Sequence, residues 1–114
     1  MAVPTDNETW VIEAGDAIIE KEARSGSRSL VPWERLVYCL WVADYGMRNA
    51  GDLGAAQDVC ADFQSEARRI AEDLSLRLTR EAFSLPRSAL EKEYFIRFDQ
   101  ICHEIRNAEP ATFT

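Results

Sequence analysis

Cysteine, histidine, proline and glycine are all scarce in this chain of 114 residues, which has 3 Cys, 1 His, 4 Pro and 5 Gly. Cys39, Cys60 and Cys102 are odd in number and widely spaced, so the chain writes neither a disulfide framework nor a CxxC zinc knuckle, and a reducing cytoplasm suits them. A single histidine cannot build the paired Glu-x-x-His motifs of di-iron bundles, and the residue three before His103 is Gln100. No metal is expected. Gly-rich phosphate loops and the GxSxG elbow are absent too, so no cofactor is expected. No run approaches the roughly 18 unbroken apolar residues of a membrane span. The stretch from Met1 to Glu8 carries acids where a secretory signal would carry Lys or Arg, and it lacks an apolar core, so export is not expected. Basic charge is also short: 13 Lys and Arg stand against 20 Asp and Glu, a formal charge of −7. Direct nucleic-acid binding is thereby disfavoured, because it needs a cationic face that releases counterions from phosphates.

What remains is an ordinary globular composition, with 46% hydrophobic and 29% charged residues. One domain spanning residues 1–114 is the expectation. Thr5-Asp6-Asn7-Glu8 has the capping-box pattern of a helix start, and Val11, Ala14 and Ile18 follow on one apolar stripe. Arg24 to Ser29, with Gly26 inside, stops that helix. Pro32 suits the first position of a second helix, which carries no charge but Asp44 between Leu36 and Met47 and ends at Asn49-Ala50-Gly51. Asp52 caps a third helix through Leu53, Ala56, Cys60, Phe63, Ala67, Ile70 and Leu74, with room for a break after Leu74. Ser88-Ala89-Leu90-Glu91 offers another capping box before a fourth stripe of Leu90, Tyr94, Phe98, Ile101 and Ile105. The fold class is therefore all-α, with four main helices joined by short loops in an up-and-down-like bundle.

Three groups of residues are candidates for function. Cys102 and His103 are a nucleophile and a base side by side, but neighbours on a helix point about 100° apart, so no catalytic pair is expected there. Asp44, Arg48, Asn49 and Gly51 mark the end of the second helix. An ionised carboxylate on an apolar helix needs a partner, and Arg48, four residues on, is placed to be one. The alternative is a ligand pocket or enzymatic site at that turn. Glu13, Asp16 and Glu20 fall on the side of the first helix opposite its apolar stripe. Between Met1 and Ala23 there are 6 acids and 1 base, so the negative excess concentrates here. Such a face is either solvated or a docking surface for a protein with a basic contact surface. Trp10 and Trp33 could anchor such a partner or belong to the core.

The run Pro32-Trp33-Glu34-Arg35-Leu36-Val37-Tyr38-Cys39-Leu40-Trp41, followed by Asp44-Tyr45-Gly46-Met47-Arg48-Asn49-Ala50-Gly51, resembles the bacterial DNA-mimic protein family. Glu93-Tyr94-Phe95 with Asp99 is similar to the family pattern near its C-terminus. Where that family has two Gly and then Phe in the turn, Gly51 here precedes Asp52-Leu53-Gly54-Ala55. The resemblance implies an all-helical fold without catalysis and an acidic surface that stands in for DNA before a DNA-binding protein. The leading expectation is accordingly a non-enzymatic interaction protein whose partner presents a basic surface. Its alternatives are a toxin antagonist of the immunity type and a ligand-binding or enzymatic helical bundle. Apolar positions outnumber what four short helices need, which leaves room for a homodimer.

Overall fold

The computed structural model describes residues 6–110, with Ser27 described by its backbone alone, and it is all-helical over that range. Six α-helices follow in order: α1 (Asn7–Ser25), α2 (Pro32–Ala50), α3 (Gly54–Val59), α4 (Phe63–Asp73), α5 (Arg77–Phe83) and α6 (Arg87–Asn107), with a single 3₁₀ turn at Ser27–Ser29 between α1 and α2. Among the described residues no helix is long and apolar enough to cross a membrane.

The first two helices form as their sequences dictate. Thr5 lies outside the described residues, and the cap of α1 is Asp6, whose carboxylate accepts the Thr9 N–H at 2.7 Å. Gly26 ends the helix. Pro32 occupies the first turn of α2, and the chain leaves that helix through Gly51 in the left-handed region, φ 75°, with its N–H bonded back to Met47. Glu34 ties the two helices together, since its buried carboxylate accepts the Val31 N–H at 2.9 Å and the Lys21 ammonium at 2.9 and 3.0 Å.

The expected third helix is instead three pieces: the sequence allows for the break after Leu74, but not for the one at Cys60. Cys60 adopts an extended conformation between α3 and α4, and Ser75, at φ 60°, turns the chain between α4 and α5. The apolar series from Leu53 to Ile70 keeps its spacing across the first break, so periodicity alone conceals it. Breaking the helix lets α3 and α4 each pack on α2, while α5 packs between α4 and α6. The starts of the short pieces are satisfied from far away. Glu91 of α6 accepts the Leu53 N–H at 2.7 Å, so it does not close a capping box with Ser88, and α6 starts after Pro86 without a side-chain cap. Glu104, also on α6, accepts the Leu78 N–H, the Thr79 N–H and the Thr79 hydroxyl at 2.9, 2.8 and 2.7 Å. At the other end of α5, the Gln64 amide donates to the Phe83 and Leu85 carbonyls at 3.2 and 2.8 Å.

One core runs through these elements. Val11, Ala14 and Ile18 from α1 meet Leu36, Val37, Leu40 and Ala43 from α2, and Leu90, Tyr94, Ile101 and Ile105 close it from α6. Trp33 is buried in it, with its indole N–H donating to the Ile105 carbonyl at 2.8 Å.

Candidate functional site

The C-terminal half of α2 brings together most of the residues singled out from the sequence. Asp44 is only 4% exposed, and both of its oxygens are bonded. Arg48, one turn on, places its Nε 3.0 and 2.9 Å from the two carboxylate oxygens, and the Tyr94 hydroxyl donates to Oδ1 at 2.7 Å. Burial, followed by the facing Asp44 charge, pushes the Tyr94 hydroxyl well above its ordinary 10.0, so it stays protonated as a donor. Arg48 is occupied on its other sides as well. Its guanidinium lies 5.2 Å from the Phe95 ring centre and 5.0 Å from that of Phe98, and Glu8 of α1 stands 3.6 Å from its Nη1. One side chain thus joins α1, α2 and α6.

Outside this network lies a ladder of aromatic rings. Tyr38, Trp41 and Tyr45 recur at steps of three and four and stack along α2, with ring centres 6.4 and 5.9 Å apart and planes within 16° and 14°. Gly15 of α1 lets Trp41 lie flat against that helix, because any Cβ there would overlap the indole. The result is a shallow recess of about 240 Å³ lined by Ile12 and Asp16 of α1 and by Trp41, Asp44, Tyr45, Arg48 and Asn49 of α2. Asn49 turns its amide inward to the Tyr45 carbonyl at 2.8 Å. Gly51 serves as the helix terminator and does not line the recess.

No family model, curated protein or solved structure matches the chain.

The acidic residues of α1 divide at the recess. Asp16 reaches it, whereas Glu13 and Glu20 lie outside; all three are exposed, and none has an ion pair among the described residues. The tryptophans considered as anchors are spent elsewhere. Trp33 is core, and Trp10 is half-buried against it, edge-on at 6.4 Å, with the Arg106 guanidinium 5.3 Å above its ring. Half-buried Trp41 and exposed Tyr45 line the recess instead. Their spacing was readable from the sequence, but the absence of a side chain at position 15 acquires meaning only when α1 lies on α2.

Cys39 and Cys102 are buried as the apolar pattern expects, whereas Cys60, expected in the core of a third helix, is half-buried at the break between α3 and α4. Cys102 is buried and His103 exposed, so they do not face each other. Burial foremost, then the charge of Asp44, pushes the Cys102 thiol up to about 12, and burial with Glu66 nearby raises Cys39 further. Both are protonated thiols at neutral pH and poor nucleophiles. Among the described residues no three His, Cys, Asp or Glu side chains converge as metal ligands would.

Proposed function

We propose that this is a non-enzymatic, cytoplasmic interaction protein that binds a partner with a basic contact surface, drawing it in through the acidic face of α1 and holding it on the aromatic edge of α2. The observation that carries this reading is the presence of Asp16 in the same recess as Trp41 and Tyr45. Exposed charge mainly speeds encounter and selects partners, while affinity comes from aromatic and apolar groups that shed water. Here the two lie side by side. Among the described residues Glu13, Asp16 and Glu20 are exposed and form no ion pair, which leaves their charge to act on an approaching partner. Rings already stacked and braced on Gly15 lose little freedom on binding.

The resemblance to DNA-mimic proteins favours a DNA-binding protein as that partner, since carboxylates repeated along a helix can imitate spaced phosphates. A basic toxin offers the same chemistry. A small-molecule or catalytic reading of the recess has less support. Asp44, Arg48 and Tyr94 satisfy one another, and 240 Å³ falls below the roughly 300–1,000 Å³ of ordinary ligand pockets.

The test is capture of a partner at low and at physiological salt by the wild-type chain, a Glu13→Lys/Asp16→Lys/Glu20→Lys variant and a Tyr45→Ala variant. Charge reversal abolishes the salt-sensitive capture, and Tyr45→Ala weakens capture at both salt concentrations. Undiminished capture by the charge-reversed chain at low salt defeats the proposal.

A further inference from the structure

A second surface stands apart from the recess. Ile96 of α6 is 78% exposed and Phe95 is 51% exposed, more than any other large hydrophobic residue among those described. The opposite side of α6 is fully used, with Leu90, Tyr94, Phe98, Ile101 and Ile105 in the core. At about 100° per residue, Ser88, Lys92, Asp99 and His103 run down the middle of the exposed side, with Phe95 to one flank and Ile96 to the other. All six are exposed.

We propose that this face of α6 pairs two copies of the chain, helix against helix and antiparallel, about a two-fold axis passing between Phe95 and Ile96. A two-fold axis lying in the contact plane and across the helix reverses the helix direction and keeps each flank on its own side. Ile96 then meets Ile96 of the second copy and Phe95 its Phe95, while Lys92 lies on its Asp99 and Ser88 faces its His103, the last two contacts each occurring twice. The charges choose this occupant. A cation one turn before the apolar pair and an anion one turn after it are matched by an antiparallel copy, while a parallel copy would set like on like. Lys92 has no hydrogen bond or ion pair among the described residues. Asp99 gives Oδ1 to the Asn7 amide at 2.9 Å and keeps Oδ2 for a second donor. Beyond Asp99 the face is hollowed into an open groove of about 430 Å³, lined in part by Leu78, Gln100, His103 and Asn107, which receives the aliphatic stem of the second copy's Lys92. One helix from each copy makes a small interface, so the association is concentration-dependent. It does not depend on the partner reading above, because none of the six side chains lines the recess.

Sedimentation equilibrium of the full chain from micromolar to millimolar concentration tests the pairing. The wild-type chain passes reversibly from monomer to dimer. Ile96→Glu stays monomeric with an unchanged circular dichroism spectrum, as expected for so exposed a position. Lys92→Asp and Asp99→Lys each weaken pairing by about tenfold, and the double swap restores it to within a few-fold. A chain that remains monomeric at every concentration overturns the proposal and assigns the stripe to another partner. Wild-type pairing by Ile96→Glu overturns it as well, and a double swap no better than either single reversal overturns the antiparallel register.

Discussion

Replacing Arg48 with alanine should destabilise the protein by about 3–4 kcal/mol, which is a large share of the roughly 5–15 kcal/mol available to a domain. The Asp44 side chain is 5% exposed and receives two bonds from Arg48 Nε and one from Tyr94. Without Arg48 a buried carboxylate keeps a single donor, and breaking such a pair from one side costs about 3–5 kcal/mol. Arg48 itself is 29% exposed, so water reaches the vacated space and holds that part near the lower bound. Lost stacking on Phe95 and Phe98 adds roughly 0.5–1 kcal/mol. Urea unfolding followed by circular dichroism reads the result, and at a slope of about 1.5 kcal/mol/M the midpoint falls by about 2 M. The decisive control removes the whole polar cluster: Asp44→Leu/Arg48→Met/Tyr94→Phe leaves no orphaned charge or hydroxyl and should be more stable than Arg48→Ala alone. A loss below about 1 kcal/mol in Arg48→Ala, or a triple variant less stable than the single one, refutes the reasoning that Asp44 depends on its partner.

Gly15→Ala drives a Cβ into the Trp41 indole and should cost about 1–3 kcal/mol, with a change in tryptophan emission as the ladder shifts; an unchanged spectrum and melting temperature would count against the close packing. Glu104→Ala strips three bonds from the start of α5 and should cost about 2 kcal/mol, with faster hydrogen exchange concentrated at the Leu78 and Thr79 amides. Stability should also decline in alkali. The folded chain holds the Cys102 proton up to about 12 while the unfolded chain releases it near 9.0, so stability is flat below that lower value and falls between the two. Cys39 adds to the same fall and Tyr94 extends it above 10.0, so urea midpoints measured either side of 9.0 should converge in part for Cys102→Ala.

Sequence reasoning recovered the parts of this fold whose signals are local. Pro32 and Gly51 bound α2, Gly26 ends α1, and the Asp44–Arg48 pair follows from a four-residue step on an apolar helix. The buried stripe of α6 was equally legible. The break after Leu74 was allowed for, but the one at Cys60 was not, and the groups that satisfy the starts of α3 and α5 lie 38 residues away at Glu91 and 25 or 26 away at Glu104. No window along the chain contains both halves of such a cap. Glu91 read instead as part of a local box with Ser88, a contact it gives up for Leu53. The site was half legible for the same reason: Asp16 and Asp44 each stood out alone, but the recess they share is made by Gly15 and Trp41 meeting across two helices. Tyr94 read as one more core aromatic, and nothing local marked its hydroxyl as the third partner of Asp44.

The two glutamates of α6 also tie the segment before α3 and the start of α5 to a helix synthesised after them. A helix of 6 residues and one of 7 are too short to persist alone, and each has a leading amide held by α6, which is synthesised after it. During vectorial synthesis, α1, α2, α3 and α4 have mutual contacts available as they emerge, whereas the start of α5 waits for Glu104 of α6. Arrest of translation before Glu104 would therefore leave the start of α5 uncapped and protease-sensitive beside otherwise formed helices. α6 thus supplies the cap and the packing surface on which α5 is set.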